Sequence, residues 1–296
     1  MKSKPNTFTV LTVALFAVPL LAQQSTYPPE MPGARVETYK SVSSVDLNVW
    51  IFEPENYDSS DQRPAIVFFY GGGWSRGTPA QFLNQAKYLA SRGMVAMAAD
   101  YRVLSRHQTK PNIAVQDAKA AIRWVRTNAD RLGVDPDRIA ASGSSTGGHL
   151  AAATAMLPAH DDPTGDQSIS ALPNALVLFN PAVILAPIPG RFETREWPSA
   201  ESRGAPLESM SPYHHVKAGQ PPTIIFHGKA DATVPYEYVE LFTEAMTTVG
   251  NRCELVGYEG EEHGFFNYWR GDGSAYTDTV HRTAEFFVSL GWLPES

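Results

Sequence analysis

Three residues of this chain, Ser145, Asp231 and His263, have the types and the order needed for acyl-transfer chemistry. A serine hydroxyl is a poor nucleophile at neutral pH and needs an imidazole to take its proton. The imidazole in turn needs a carboxylate to fix its tautomer and stabilise its cation. Ser145 is the central residue of Gly143-Ser144-Ser145-Thr146-Gly147, a G-x-S-x-G run between the strand-like Arg138–Ser142 and the helix-like Gly148–Leu157. In that setting the glycines permit a sharp strand-to-helix turn and hold the serine exposed at the helix N-terminus. Ser144 is a rival nucleophile, but it fills the variable position of the turn. Asp231 lies in the turn after Thr223-Ile224-Ile225-Phe226, and His263 lies in the loop after the strand-like Cys253–Tyr258. Each has a plainer reading: Asp231 could cap the helix that begins near Pro235, and His263 could be a surface histidine beside Glu261 and Glu262. What sets them apart is that all three directly follow a strand, in the order serine, acid, histidine.

Acyl transfer also needs donors for the oxyanion of the attacked carbonyl. Gly71-Gly72-Gly73-Trp74 follows the continuous apolar run Ala65–Phe69. A loop without side chains can turn its N–H groups toward the serine, so Gly72 and Gly73 are the expected donors, with the backbone N–H of Thr146 as the third. A glycine-rich loop can also cradle phosphate, but no G-K-[ST] follows here.

These loops need a scaffold of strands and helices. Val36–Lys40 and Val45–Phe52 alternate as half-exposed strands do, whereas Ala65–Phe69, Met94–Ala99 and Ala175–Phe179 are apolar throughout, as strands buried on both faces are. Helical spacing of apolar residues recurs between them, at Pro79–Arg92, Val115–Leu132, Tyr236–Val249 and Ala275–Leu290. Gly133-Val134-Asp135-Pro136 reads as the stop of the second of these. Such alternation indicates a mainly parallel sheet with helices on both faces, and such sheets bind ligands at the carboxyl ends of their strands. Residues 181–215 are rich in proline and irregular, and read as a lid or pocket wall within one domain spanning residues 36–292. Residues 23–35 read as an extended arm.

Lys2 and Lys4 followed by the uncharged, apolar Thr7–Ala22 read as a secretory signal peptide over residues 1–22; the competing reading is a membrane anchor. Loss of those two lysines takes the formal charge from −7 to −9, which disfavours nucleic acid or a stable association with an anionic membrane as partner. Cys253 is the only cysteine, so no intrachain disulfide is possible, and its strand-like flanks suggest a buried thiol. The loop His160–Asp166 has no known cation-loop spacing, and no zinc-type spacing supports a metal. The chemistry calls for no cofactor.

Gly71-Gly72-Gly73-Trp74, Asp100-Tyr101-Arg102, Asp135–Ala140, the serine turn continued by Gly147-Gly148-His149-Leu150, Asp231–Pro235 and Glu262-His263-Gly264-Phe265 together resemble the hormone-sensitive-lipase-like serine esterases and the similar bacterial acetyl-xylan and feruloyl esterases. The resemblance covers about residues 36–292. It implies the α/β-hydrolase fold, with a mainly parallel eight-stranded sheet, helices on both faces and a small lid insertion. It also implies a Ser145–His263–Asp231 triad. The chain departs from the family pattern twice: Tyr70 stands where histidine usually precedes the glycines, and Thr146 stands where alanine usually follows the serine. Export points to acetyl or hydroxycinnamoyl esters of oligosaccharides or polysaccharides as substrates, and the aromatic or bulky Tyr70, Trp74, Tyr213, Phe266 and Trp269 are expected contacts. The alternatives are a generic short-chain carboxylesterase, a prolyl-peptidase-like hydrolase and a catalytically silent binding protein.

Overall fold

A computed structural model describes residues 27–192 and 196–295. The expected signal peptide lies outside the described residues. Among the described residues no helix is long and apolar enough to cross a membrane.

Eight strands form one sheet: β1 (Arg35–Val42), β2 (Val45–Phe52), β3 (Arg63–Phe69), β4 (Val95–Ala99), β5 (Val134–Ser144), β6 (Ala175–Phe179), β7 (Thr223–Gly228) and β8 (Cys253–Tyr258). Their order across the sheet is β1-β2-β4-β3-β5-β6-β7-β8. Pairings β1–β2 and β2–β4 are antiparallel and all others parallel. The half-exposed alternation of β1 thus belongs to an edge, and the unbroken apolar runs belong to strands covered on both faces.

The helices are α1 (Leu83–Ser91), α2 (Leu104–His107), α3 (Pro111–Thr127), α4 (Thr146–Met156), α5 (Ala200–Arg203), α6 (Tyr236–Thr248) and α7 (Ser274–Ser289). Side chains alternate across a strand, so β3 supplies Ala65, Val67 and Phe69 to a core shared with α3, α4 and α6. Its Ile66 and Phe68 enter a second core with α1 and α7. The sheet is therefore packed on both sides, as its composition requires.

Element boundaries between residues 111 and 138 differ from the sequence expectation. Helix α3 starts at Pro111 rather than Val115, because proline at the first helical position needs no N–H acceptor. It ends at Thr127 rather than Leu132. After the turn at Gly133, which has φ +52°, Val134 already pairs with Arg63, so Val134–Asp137 belongs to β5 and not to a loop. The pairing shifts register before Ala65 meets Ile139, in a stretch where Pro136 has no N–H for the ladder. Polar Asp135 and Asp137 beside Pro136 hide this first part of the strand from a pattern-based reading.

Candidate active site

The register of the sheet assembles the site. Phe69 of β3 lies opposite Gly143 of β5, so Gly71–Gly73, just past β3, meet Ser145, just past β5. On the other flank Gly228 of β7 lies opposite Tyr258 of β8, which brings the Asp231 and His263 loops together. Ser145 has φ +53°, a conformation L-residues rarely adopt, and donates its N–H to the Phe179 carbonyl at 3.0 Å. The turn is forced by close packing: a Cβ on Gly147 would overlap the Phe69 carbonyl oxygen. Ser144 is buried, and its hydroxyl donates to Gln81 Oε1 at 2.9 Å, which leaves Ser145 as the candidate nucleophile.

His263 Nδ1 lies 2.7 Å from Asp231 Oδ2. Since the carboxylate accepts, Nδ1 carries the proton and Nε2 is left as the base. The other oxygen, Oδ1, accepts the N–H groups of Thr233 and Val234, each at 2.8 Å. Sequence reasoning missed His227: its Nε2 donates to the Val234 carbonyl at 2.8 Å and lies 3.3 Å from Asp231 Oδ2. Burial alone would raise the Asp231 carboxyl, but hydrogen bonds from His227, His263 and the Val234 N–H outweigh it and hold the group well below the usual carboxylate range. Asp231 is thus a permanent anion that orients the imidazole. Ser145, His263 and the glycine loop line one cavity of about 780 Å³.

The oxyanion loop differs from expectation at one residue. The Gly73 N–H donates to Thr146 Oγ1 at 3.1 Å, and the Trp74 N–H lies 3.4 Å from the same oxygen. Gly73 is therefore already engaged, because a hydroxyl stands where the resembled family has a methyl. The N–H groups of Gly72 and Thr146 have no protein acceptor among the described residues, and they remain the candidate donors for an oxyanion. Gly72 has φ +136°, a conformation that requires glycine.

Of the expected substrate contacts, the cavity includes Trp74 and Phe266. Tyr70 does not line it. Its ring is fully buried, its hydroxyl donates to Asp100 Oδ1 at 2.7 Å, and it accepts from Arg106, which also bonds the Gly77 carbonyl. Tyr70 therefore anchors the glycine loop from beneath. Tyr213 lines a separate cavity with Arg191 and His214, and Trp269 is exposed outside the main one. Neither lies where the sequence placed it: the Tyr213 N–H is held on the Val183 carbonyl with its ring on the second cavity, and the Trp269 ring faces solvent.

Three amides complete the site without a sequence motif to announce them. Gln81 Oε1 accepts the Gly71 N–H at 2.7 Å, and its Nε2 donates to Asn267 Oδ1 at 3.1 Å. Asn267 Nδ2 in turn donates to the Gly264 carbonyl at 2.7 Å, and the Gly264 N–H reaches Asn180 Oδ1 at 3.1 Å. The glycine loop and the histidine loop are thereby tied through one polar chain. Ala182, Ile184, Leu185 and Arg203 of the proline-rich segment form another wall of the cavity. In the acidic loop, Asp162 pairs with Lys40 and Asp161 with Lys119 and Arg123.

Comparison with known proteins places the chain among esterases. The BD-FAE family model matches residues 50–175 and 197–246, more than half of the chain. Esterase LipC of Mycobacterium tuberculosis is 32% identical over 245 residues, covering 75% of this chain and 57% of LipC. The chain spans about half the length of the curated relatives it matches. Among solved structures, the propionate-bound form of Est2, a thermophilic esterase of Thermogutta terrifontis, is 55% identical with a TM-score of 0.88, covering 92% of this chain and 100% of that one. The form of esterase 2 phosphoramylated by tabun is 54% identical with a TM-score of 0.87, at the same coverages. The fold, the placed serine, histidine and aspartate, and these similarities lead to one statement: the chain belongs to the BD-FAE family of α/β-hydrolase esterases.

Proposed function

We propose that this chain is an exported serine carboxylic-ester hydrolase that removes acetyl or hydroxycinnamoyl groups from carbohydrates. The observation that carries the hydrolase reading is the 2.7 Å bond between His263 Nδ1 and Asp231, with His263 and Ser145 on one cavity beside the glycine loop. Ser145 Oγ attacks the ester carbonyl as its proton passes to His263 Nε2. The oxyanion is met by the N–H groups of Gly72 and Thr146, and His263 then protonates the departing alkoxide. Water, deprotonated by His263, releases the acid from the acyl-enzyme.

The carbohydrate reading draws on the apparent signal peptide and on the aromatic faces of Trp74 and Phe266 in the cavity. A second reading, a generic short-chain carboxylesterase, is favoured by the apolar wall of Ala182, Ile184 and Leu185 and by the relative that binds propionate. A fluorophosphonate probe is expected to label Ser145, with labelling abolished in Ser145→Ala and hydrolysis of p-nitrophenyl acetate reduced at least about 10³-fold. Folded wild-type protein that takes no label would sink the hydrolase reading. Release of acetate or hydroxycinnamate from acylated saccharides separates the two substrate readings, since a generic esterase would cleave only the nitrophenyl ester.

A further inference from the structure

Arg203, in the wall that the proline-rich segment gives the cavity, carries a charge that nothing in the triad mechanism uses. Arg203 ends α5 and stacks over the Trp74 ring, its guanidinium carbon 4.4 Å from the ring centroid. It is partly buried and lines the same cavity as Ser145. Its Nε is shielded from solvent and has no hydrogen-bond partner, and no carboxylate pairs with it among the described residues. Arg102, Arg106 and Arg123 are also partly buried, yet they pair with Asp117, Asp100 and Asp161. Exposed Arg76 adds a second cation to the lining, and no aspartate or glutamate contributes to it.

A guanidinium drawn out of water is ordinarily matched by an anion or by carbonyl oxygens, because its planar fork of donors fits a carboxylate. Here no matching carboxylate is present among the described residues, and Arg203 lines the cavity a substrate would fill. The backbone N–H of Trp74 lies 3.4 Å from Thr146 Oγ1, so the residue whose ring Arg203 covers belongs to the glycine loop beside Ser145. A group on Arg203 is thus within reach of an ester held on Ser145.

We infer that the cavity selects esters that carry a carboxylate, bound by Arg203 with Arg76 at the rim while Ser145 attacks the ester carbonyl. The inference rests on the ester-hydrolase reading and adds the charge class of the substrate. The carboxylate can belong to the acyl half, as in a dicarboxylic half-ester, or to the alcohol half, as in an acylated sugar acid.

The test compares matched pairs. In the acyl arm, p-nitrophenyl hydrogen glutarate is set against p-nitrophenyl pentanoate; in the alcohol arm, acetylated glucuronate is set against acetylated glucose. In at least one arm wild-type protein should favour the anionic member in kcat/KM, with the preference falling as salt rises. In Arg203→Gln the ratio of anionic to neutral kcat/KM should drop about tenfold or more, and Arg203→Lys should recover part of it. A purely structural arginine would lower both members together and leave the ratio unmoved, and that result overturns the inference. So does a wild-type preference for the neutral member in both arms. Failure to hydrolyse any of the four, together with no fluorophosphonate labelling, would instead overturn the hydrolase reading itself.

Discussion

Thr146 shows how one side chain alters a site whose backbone plan is otherwise shared. Its hydroxyl holds the Gly73 N–H at 3.1 Å and so ties the glycine loop to the first turn of α4. The tether takes one N–H from the oxyanion hole and in return fixes the loop that presents the N–H of Gly72. Thr146→Val keeps the shape and removes the acceptor. A hydrogen bond of about 1 kcal/mol corresponds to roughly a fivefold loss, so kcat on p-nitrophenyl acetate should fall about fivefold with KM little changed, and Thr146→Ser should restore it. Steady-state kinetics that find Thr146→Val as fast as wild type would mean that the tether does not position the loop.

Between elements, the polar chain from Gln81 to Asn267 joins the loops after β3 and β8, which no sheet hydrogen bond connects. Gln81 alone satisfies the Gly71 N–H and the Ser144 hydroxyl. Gln81→Leu leaves both without a partner, and an unsatisfied buried group costs about 1–3 kcal/mol. For the two groups together, at roughly 2 °C per kcal/mol for a chain of this size, the thermal midpoint should therefore drop by about 4–12 °C in calorimetry. An unchanged midpoint would show that water replaces the amide at no cost. His227 works in the same way one strand over, giving Asp231 Oδ2 a second donor beside His263. Phe226-His227-Gly228 offers no motif, and only the turn of the loop back over β7 brings that ring to the carboxylate.

On the scale of the whole molecule, the buried His149 makes folding sensitive to acid. Its Nε2–H donates to the Met210 carbonyl at 2.7 Å, linking α4 to the proline-rich segment, and burial lowers its pKa to about 4. A histidine whose folded value lies below its unfolded value near 6.5 contributes stability that is complete above about pH 6.5 and is lost as pH falls through about 4. Over that window the loss is about 3 kcal/mol. His149→Gln can keep a donor toward Met210 without titrating, so its denaturation midpoint should change less between pH 7 and pH 4 than that of wild type. Parallel pH profiles for the two proteins would contradict this account.

The sequence by itself determined the sheet class, most strand positions, and the serine, acid and histidine that the sheet brings together. It could do so because strand burial, a sharp glycine turn and triad chemistry each demand particular residue types at local spacing. Only the tertiary structure decided what depends on direction. It turned Tyr70 under the glycine loop and sent Tyr213 and Trp269 away from the cavity. It also gave the Gly73 N–H to Thr146, recruited Gln81, Asn267 and His227, and set Arg203 over Trp74. These partners lie far apart in the chain, and the geometry that joins them comes from the register of the strands and the paths of the loops, which leave no periodic trace in the sequence.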